Sequence, residues 1–322
     1  YTGRRDHGTK RAWGAGMAIE RMAIVGKGAV GLLYGSIAAA HLDAGAVTYV
    51  MDDARFERHR HDRTLINGVQ CDIETLPVSD LASERPFDLV VLATKATGLD
   101  QALSTMEALV GPNTCIISLL NGIRSERIIA ERFGWQHTVL SVAQGMDAVF
   151  LNGELTYTHS GEIRFGAAEE TNPGVVDSIA AFFRRAGIPH TVEANVEHRL
   201  WTKFMLNVGI NQTCMAYGGT YGTAIAPGEQ NRCFIAAMRE AMAVARAEGI
   251  ELTEQDLGDM VDLIASIDPA GMPSMAQDRV AHRRTEVEEF AGTVIRLAEQ
   301  HGILVPQNRW LYDRIREIEA NW

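Results

Sequence analysis

Short apolar runs alternate with amphipathic segments along the first half of the chain. Met22–Val25 and Val47–Met51 are largely apolar runs of the kind found in strands that are buried on both faces. Between them, Leu32–Asp43 has apolar positions at helical spacing. Further runs of the strand type, each after a helical stretch, are Phe87–Ala93, Thr114–Leu120 and Thr138–Ala143. Strands that alternate with helices predict a parallel, doubly wound α/β sheet.

The pattern becomes helical after about Ala194. Long segments with apolar positions at helical spacing are Val196–Met215, Asn231–Glu248, Thr253–Ile267 and Thr285–His301. We therefore predict a doubly wound domain over 22–194 and a mostly α-helical domain over 195–322. The two should share a cleft, because no long linker separates them. Residues 1–21 are rich in Gly and Arg, so we expect a leader or tail outside the fold.

Composition narrows the classes of function. The 322 residues include 30 Lys and Arg against 41 Asp and Glu, a net charge of −11, so the chain has no general attraction for nucleic acid or an anionic membrane. The longest apolar runs fall far short of the roughly 20 residues of a spanning helix. The four cysteines are scattered without metal-ligand spacing, which predicts buried thiols in a reducing compartment and no metal site. We therefore expect a cytoplasmic protein.

A glycine-rich sequence, GKGAVG, joins the first predicted strand to the first predicted helix. In that context Gly26 permits a tight turn, Gly28 lets a pyrophosphate approach the backbone, and Gly31 allows close packing of helix on strand. Backbone N–H groups at the start of the helix would then face the phosphates. A purely structural turn is the less favoured interpretation. We predict a Rossmann-type dinucleotide site that includes Gly26, Lys27, Gly28, Ala29, Val30 and Gly31.

Asp52 follows Gly31 by 21 residues, at the end of the second predicted strand. A carboxylate there accepts hydrogen bonds from a ribose 2′-hydroxyl and repels a 2′-phosphate, which favours NAD over NADP. Three arginines follow at once: Arg55, Arg58 and Arg60. They could hold a 2′-phosphate if this segment folds inward, although a solvated helix face is the favoured interpretation.

Lys203, Asn207 and Asn211 lie at i, i+4 and i+8 in a predicted helix that is otherwise apolar on almost all sides. Such a helix is buried, so its polar stripe needs polar partners or a wet cavity. A buried lysine tends towards a lowered pKa, which suits it to give a proton to a developing alkoxide. From this segment alone, a lysine that extends to solvent, with asparagines bonded to the backbone, is an equal alternative.

A second polar cluster contains Ser274 and Glu286. On one unbroken helix these residues would lie about 18 Å apart, too far to share a small substrate. However, Pro273 precedes the serine, and Thr285–Glu288 has the sequence of a capping box that starts a new helix. We therefore expect an interrupted helix and convergence of the two side chains.

Taken together, these segments resemble the ketopantoate reductase (2-dehydropantoate 2-reductase) family from about Met22 to the C-terminus. The matching motifs, in order, are GKGAVG at 26–31, TK at 94–95, LLNG at 119–122, HSGEIRFG at 159–166, LWTKFMLNVGIN at 200–211, SMAQD at 274–278 and TE at 285–286. None is decisive alone, whereas their order and spacing together are specific.

The resemblance implies NADPH- or NADH-dependent reduction of 2-dehydropantoate, a small 2-keto acid, to D-pantoate in pantothenate and coenzyme A biosynthesis. It implies that Lys203 is the general acid and that Glu286 orients the substrate and supports the proton transfer. Substrate-binding positions are Asn207, Asn211, Ser274 and Asn121, and positions lining the cleft near the nicotinamide and ribose are Lys95 and Asn121.

Three positions depart from the family pattern. Asp52 stands where NADPH-using members usually carry a basic residue, Arg124 where a glycine is frequent, and Ala291 where an asparagine is frequent. An NAD-dependent D-2-hydroxyacid dehydrogenase of the same fold, acting on branched or aromatic 2-keto acids, is therefore a second hypothesis. A dinucleotide-binding sensor without catalysis is a third. An exposed apolar helix face in the helical domain would allow a homodimer, but periodicity does not separate interface from core.

Overall fold

A computed structural model describes residues 18–81, 85–169, 171 and 173–322. In chain order the strands are β1 (Met22–Val25), β2 (Val47–Met51), β3 (Leu65–Ile66), β4 (Val69–Gln70), β5 (Thr75–Pro77), β6 (Leu89–Leu92), β7 (Cys115–Ser118), β8 (Thr138–Met146), β9 (Val149–Leu151), β10 (Glu154–Thr156), β11 (Ser160–Gly166) and β12 (His190–Val192). The α-helices are α1 (Ala29–Ala39), α2 (Asp53–His59), α3 (Leu99–Met106), α4 (Ser125–Phe133), α5 (Pro173–Arg185), α6 (Val196–Tyr217), α7 (Tyr221–Ile225), α8 (Glu229–Ala247), α9 (Glu254–Ser266), α10 (Ser274–Val280), α11 (Thr293–His301) and α12 (Pro306–Ala320). Short 3₁₀ helices cover Val78–Leu81 and Ala96–Gly98, and a π-helix covers Glu288–Gly292.

The first half of the chain forms an eight-stranded sheet in the order β12-β11-β8-β7-β6-β1-β2-β5. Strand β1 lies between β2 and β6 and is parallel to both, as a doubly wound sheet requires. Every residue of β1, β2, β6 and β7 is buried, which explains their largely apolar sequences. The predicted α/β fold class, with helices gathered in the second half, is confirmed.

Two features of the sheet region differ from the prediction. Strand β8 continues to Met146 and pairs in antiparallel fashion with β11, so the sheet is not wholly parallel. A second sheet, β4-β3-β10-β9, is built from strands of two or three residues. Strands of that length are too short to produce a periodic pattern in the sequence.

The start of the packed chain also differs from the prediction. Most of the predicted leader, residues 1–17, lies outside the described residues. Ile19 is buried in the core of the sheet region, and its carbonyl oxygen accepts a hydrogen bond from Arg185 at 2.9 Å. Arg21 stacks its guanidinium over the ring of Phe87. The fold therefore includes residues that were predicted to lie outside it.

The helical half is built around α6, which has 22 residues and is buried on almost every side. Asn195 caps its first turn by accepting from the N–H of His198, and Gly218 ends it in the left-handed conformation. Helix α8 packs closely on α6 at Gly209, where the side chains of Phe234 and Met238 fill the space that a Cβ would occupy. No helix in the described part of the chain is long and apolar enough to cross a membrane.

The predicted capping box at Thr285–Glu288 is wrong, although the helix is interrupted where it was expected. Thr285 donates its hydroxyl to Glu319 at 2.7 Å, and Glu288 accepts from Tyr312 at 2.6 Å, so neither side chain caps a helix. The chain instead enters the π-helix, in which the N–H of Ala291 donates to Oε1 of Gln212 from α6 at 3.0 Å. A side chain that takes a backbone N–H out of the regular ladder widens the turn.

The close packing of α6 and α8 at Gly209 leads to a prediction about stability. A methyl group at Gly209 would lie 2.5 Å from Cγ of Met238 and 2.7 Å from Cδ2 of Phe234, in a packed core. We expect Gly209→Ala to lower the free energy of unfolding by about 1–3 kcal/mol, because the helices must separate. Gly258, inside α9, has nothing within 4 Å of the same position. The matched control Gly258→Ala should raise stability by roughly 0.5–1 kcal/mol, since alanine favours the helix. Urea denaturation of both variants tests this, and equal effects would contradict it.

Candidate active site

The glycine-rich loop leaves β1 at the edge of the sheet that faces the helical half. Gly26 has φ +121°, and a Cβ there would lie 2.5 Å from the carbonyl carbon of Ala93. A Cβ on Gly31 would collide with the carbonyl oxygen of Gly26, so only glycine allows α1 to pack this closely. At Gly28, the N-cap of α1, a Cβ would meet nothing within 4 Å, and there is no side chain to cap the helix. Open space in front of uncapped N–H groups fits a pyrophosphate.

Asp52 and Lys27 lie at the β2 side of this loop. Asp52 caps α2 by accepting from the N–H of Arg55 at 2.9 Å through one oxygen, which leaves its other oxygen for a ribose. The Lys27 ammonium lies 3.3 Å from Oγ1 of Thr75 and 5.5 Å from the centre of the Tyr49 ring. The three arginines after Asp52 are exposed on or just after α2; Arg58 bonds to the backbone of Ala54, and Arg60 pairs with Glu57. They form a solvated surface, as the favoured interpretation held.

Lys203 reaches from α6 across to the sheet region. Its ammonium donates to Oδ1 of Asn121 at 3.0 Å and to the carbonyl oxygen of Ala143, in β8, at 2.7 Å. Asn121 follows β7 and donates through its Nδ2 to Oε2 of Glu286 at 3.1 Å. The structure therefore joins the two residues predicted to be catalytic through one amide side chain, and the lysine is held inside the protein.

The surroundings of Lys203 make it a stronger acid than an exposed lysine. Burial lowers its pKa to about 8, and the positive charge of Arg199, one turn earlier in α6, acts in the same direction. The carboxyl groups of Glu286 and Glu126 oppose this effect. An ammonium with this pKa gives up its proton near neutral pH.

The polar stripe of α6 continues from Lys203 to Asn207 and Asn211. Asn211 is buried, and it donates to Oδ1 of Asn207 at 3.2 Å. Its own Oδ1 accepts from the hydroxyl of Ser274 at 2.9 Å and from the N–H of Met275 at 3.2 Å. Asn211 thus ties the start of α10 to α6 and holds Asn207 and Ser274 beside each other. These contacts place Ser274 against the polar stripe of α6, whereas its predicted convergence with Glu286 stays a prediction.

Lys95 makes a second contact between the halves. It follows β6, and its ammonium lies 3.2 Å from Oδ2 of Asp278, in α10. Asp278 is almost fully buried and also pairs with Arg283 at 2.8 Å. Reasoning from the sequence missed Asp278 as a site residue. The only signal was its place in the SMAQD motif, since a single aspartate after a serine turn carries no periodic information.

Arg124 makes a third contact, and it too was not foreseen. Its guanidinium lies 3.2 Å from Oε1 of Glu289. Arg124 follows Asn121 by three residues, and Glu289 follows Glu286 by three, so this ion pair runs beside the Asn121–Glu286 hydrogen bond. Burial raises the pKa of Glu289 although the arginine opposes the shift. The arginine that departs from the family pattern therefore has a dedicated partner. Ala291, the other departure, is fully buried in the helical core.

Two protein-family models and several curated proteins match the sequence of this chain. The model "Ketopantoate reductase PanE/ApbA" matches residues 22–170, and "Ketopantoate reductase PanE/ApbA C terminal" matches residues 195–319. The 2-dehydropantoate 2-reductase of Halobacterium salinarum is 28% identical over 92% of this chain and 98% of that protein. The same enzyme of Streptococcus pyogenes is 28% identical over 72% of this chain and 76% of that protein.

Solved structures share the fold over almost the whole chain. A PanE/ApbA family ketopantoate reductase from Ralstonia eutropha superposes with a TM-score of 0.78 at 25% identity, covering 94% of this chain and 99% of that one. D-mandelate dehydrogenase, solved with NADH and anilino(oxo)acetate, gives a TM-score of 0.82 at 21% identity over 94% and 99% of the two chains. With both family models matched in order, the chain belongs to the ketopantoate reductase family.

Proposed function

We propose that this protein catalyses the NAD(P)H-dependent reduction of 2-dehydropantoate to D-pantoate. The observation that carries the proposal is the ammonium of Lys203, held by Asn121 and Ala143 between the two halves and linked through Asn121 to Glu286. These contacts support the proposal, because they bring together the groups that would serve as proton donor, orienting amide and carboxylate. A cytoplasmic location and a homodimer stay predictions from the sequence.

The residues that would hold the cofactor are those of the glycine-rich loop and the end of β2. The open backbone at Gly28 and the first turn of α1 suit the pyrophosphate, and the free oxygen of Asp52 suits a ribose hydroxyl. Lys95 and Asn121 would line the nicotinamide end. When bound, a reduced nicotinamide cofactor supplies the hydride. Asp52 favours NADH, because its charge repels a 2′-phosphate.

Lys203 would supply the proton. As the C2 carbonyl oxygen of the substrate gains negative charge, the ammonium can donate to it while Asn121 and Ala143 keep the Nζ atom in place. Glu286, held by the amide of Asn121, would orient the substrate hydroxyl and stabilise the positive charge of Lys203 before transfer. The amide of Asn207 would donate to the substrate carboxylate, and Ser274, whose hydroxyl donates to Asn211 in this structure, would do so after turning away from it.

Initial rates with purified protein test the substrate and the cofactor together. We expect 2-dehydropantoate to be reduced faster than 2-ketoisocaproate or phenylglyoxylate, and NADH to support a higher rate than NADPH. Asp52→Ser keeps a cap for α2 and removes the charge, so it should raise the NADPH-to-NADH ratio of kcat/KM by roughly tenfold. A strong preference for the branched and aromatic acids would instead identify a D-2-hydroxyacid dehydrogenase.

Removal of the lysine tests the chemical step. We expect Lys203→Ala to lower kcat by about 10²–10⁴-fold, the usual contribution of a general acid, while NADH affinity measured by fluorescence stays within a few-fold. Arg239→Ala, which removes an exposed cation of α8, is the control and should retain wild-type turnover. If Lys203→Ala retains wild-type turnover, Lys203 is not the general acid. If the wild type binds the cofactor but reduces no substrate, the sensor hypothesis is favoured.

The pH dependence should follow the proton on Lys203. Reduction needs the ammonium, whose pKa burial lowers to about 8, so the activity is full below that pH and is lost above it. We expect kcat/KM for reduction to be level from roughly pH 6 to 7 and to fall about tenfold per unit well above the pKa. Oxidation of D-pantoate needs the neutral amine and should rise through the same range. Initial rates in both directions from pH 6 to 10 test this; reduction that stays level to pH 10 would contradict it.

A further inference from the structure

The first turn of α4 contains a buried carboxyl group that the proposed mechanism does not use. Glu126 is only 2% exposed. Its Oε2 accepts from the hydroxyl of Ser125 at 2.8 Å, and Ser125 in turn accepts from Ser118 at 2.7 Å. Its Oε1 is buried without a hydrogen-bond partner. A buried carboxyl group with an unpaired oxygen is costly, so its presence needs a reason.

The sheet leaves a gap beside this carboxyl group. Strand β8 pairs with β7 only at Thr138 and Val139, and beyond them it pairs on its other side with β11. Backbone groups two residues apart in a strand point to the same side. The N–H of Ser141 and the carbonyl oxygen of Ala143 consequently both need partners other than β7.

Glu126 lies beside the first of these two backbone groups, and Lys203 bonds to the second. The N–H groups of Ser141 and of Glu126 itself lie beside the carboxyl group and favour its anion. Two residues further along β8, Ala143 accepts from the Lys203 ammonium at 2.7 Å. Two residues of strand span about 7 Å, so the two charged groups lie beside neighbouring positions of one strand, and because both are buried their charges act on each other with little screening by solvent.

We propose that Glu126 is a positioning residue for Lys203, with its buried carboxylate behind the lysine as a countercharge that keeps the ammonium protonated until substrate is bound. This inference rests on the proposed function of Lys203 as proton donor. The other charged groups that act on the lysine are Glu286, which also favours the ammonium, and Arg199, which disfavours it. In the proposed function Glu286 contacts the substrate, so Glu126 is the anion that would remain to act on the lysine alone.

The ionisation of Glu126 occurs in the range where it can matter. Burial raises its pKa to about 7, whereas Ser125 and the charge of Lys203 act against the shift. As the pH rises through 7, the carboxyl group becomes an anion just below the pH at which the lysine begins to lose its proton. The negative charge of Glu126 is therefore small at low pH, where Lys203 is protonated without it. It is large at higher pH, where Lys203 would otherwise lose its proton.

Glu126→Gln separates this role from a structural one through the pH profile of reduction. At pH 6 the wild-type carboxyl group is mostly neutral, so we expect the two rates to agree within about twofold. Above pH 7 the variant lacks the anion, and the basic limb of kcat/KM should move down by about half a pH unit to one unit. A rate lowered by the same factor at every pH would indicate a structural role and would overturn the inference.

Lysine NMR gives a readout that does not depend on activity. The chain has four lysines, Lys10, Lys27, Lys95 and Lys203, so ¹³C-labelled lysine side chains give a small set of signals, and Lys203→Arg identifies the one from Lys203. In Glu126→Gln the titration midpoint of Lys203 should fall by about half a unit to one unit, with Lys27 and Lys95 unchanged. An unchanged midpoint would overturn the inference even if the enzyme is active. If the wild type reduces no 2-keto acid, the proposed function fails, and this titration still tests the pairing of Glu126 with Lys203.

Two further variants control for folding. Glu240→Gln removes another partly buried carboxylate, one that accepts from Gln307 and Asn308 in the helical half, and it should leave the Lys203 midpoint unchanged. If Glu126→Gln does not fold, Glu126→Asp withdraws the carboxylate by one methylene group and should shift the midpoint in the same direction by a smaller amount. A Glu126→Asp midpoint equal to that of the wild type would then overturn the inference.

Discussion

The site depends on the burial of one ammonium group between the two halves of the chain. Lys203 belongs to a helix that the helical core surrounds, yet its Nζ atom is satisfied by groups of the sheet region, Asn121 and Ala143. Taking an ammonium out of water is costly unless its hydrogen bonds are replaced. The two halves must therefore meet in one register for the lysine to be tolerated.

Three further contacts near this ammonium join the ends of β6 and β7 to the chain between the start of α10 and the end of the π-helix. Lys95 reaches Asp278, Asn121 reaches Glu286 and Arg124 reaches Glu289. Each contact is polar, as suits a boundary that must admit a cofactor and a substrate. A buried apolar cluster also joins the halves, Leu140 and Val142 of β8 against Val196 and Leu200 of α6, so directed bonds and apolar packing together hold them in place.

Much of the fold could be predicted because its signals are local. A glycine-rich turn between a buried strand and a helix, or Lys203, Asn207 and Asn211 at helical spacing, can be recognised within a few residues of sequence. The broken helix between Ser274 and Glu286 was also foreseen, although the capping box expected after it is absent: the chain continues into a π-helix, where Gln212, distant in sequence, accepts from the N–H of Ala291. A tertiary hydrogen bond of that kind leaves no trace in the segment that it changes.

The site residues that were missed share this property. Asp278, Glu289 and Glu126 are acidic side chains in helical segments, where charge in the sequence normally indicates a solvated face. Their burial follows from what lies opposite them, and only the three-dimensional structure brings those partners together. The tiny strands β3 and β4 were missed for the related reason that their pairing, not their sequence, defines them.

The amide of Asn121 has one further consequence. It presents its oxygen to the lysine and its nitrogen to Glu286, and so keeps the two charged groups one side chain apart. In direct contact they would form a buried ion pair, in which the lysine would bind its proton more tightly. The asparagine thus acts as a neutral spacer with an acceptor for the lysine on one side and a donor to the carboxylate on the other. The carboxylate can therefore orient the ammonium without forming an ion pair with it. Neither an aspartate, which lacks the donor, nor an alanine, which lacks both groups, could replace that function.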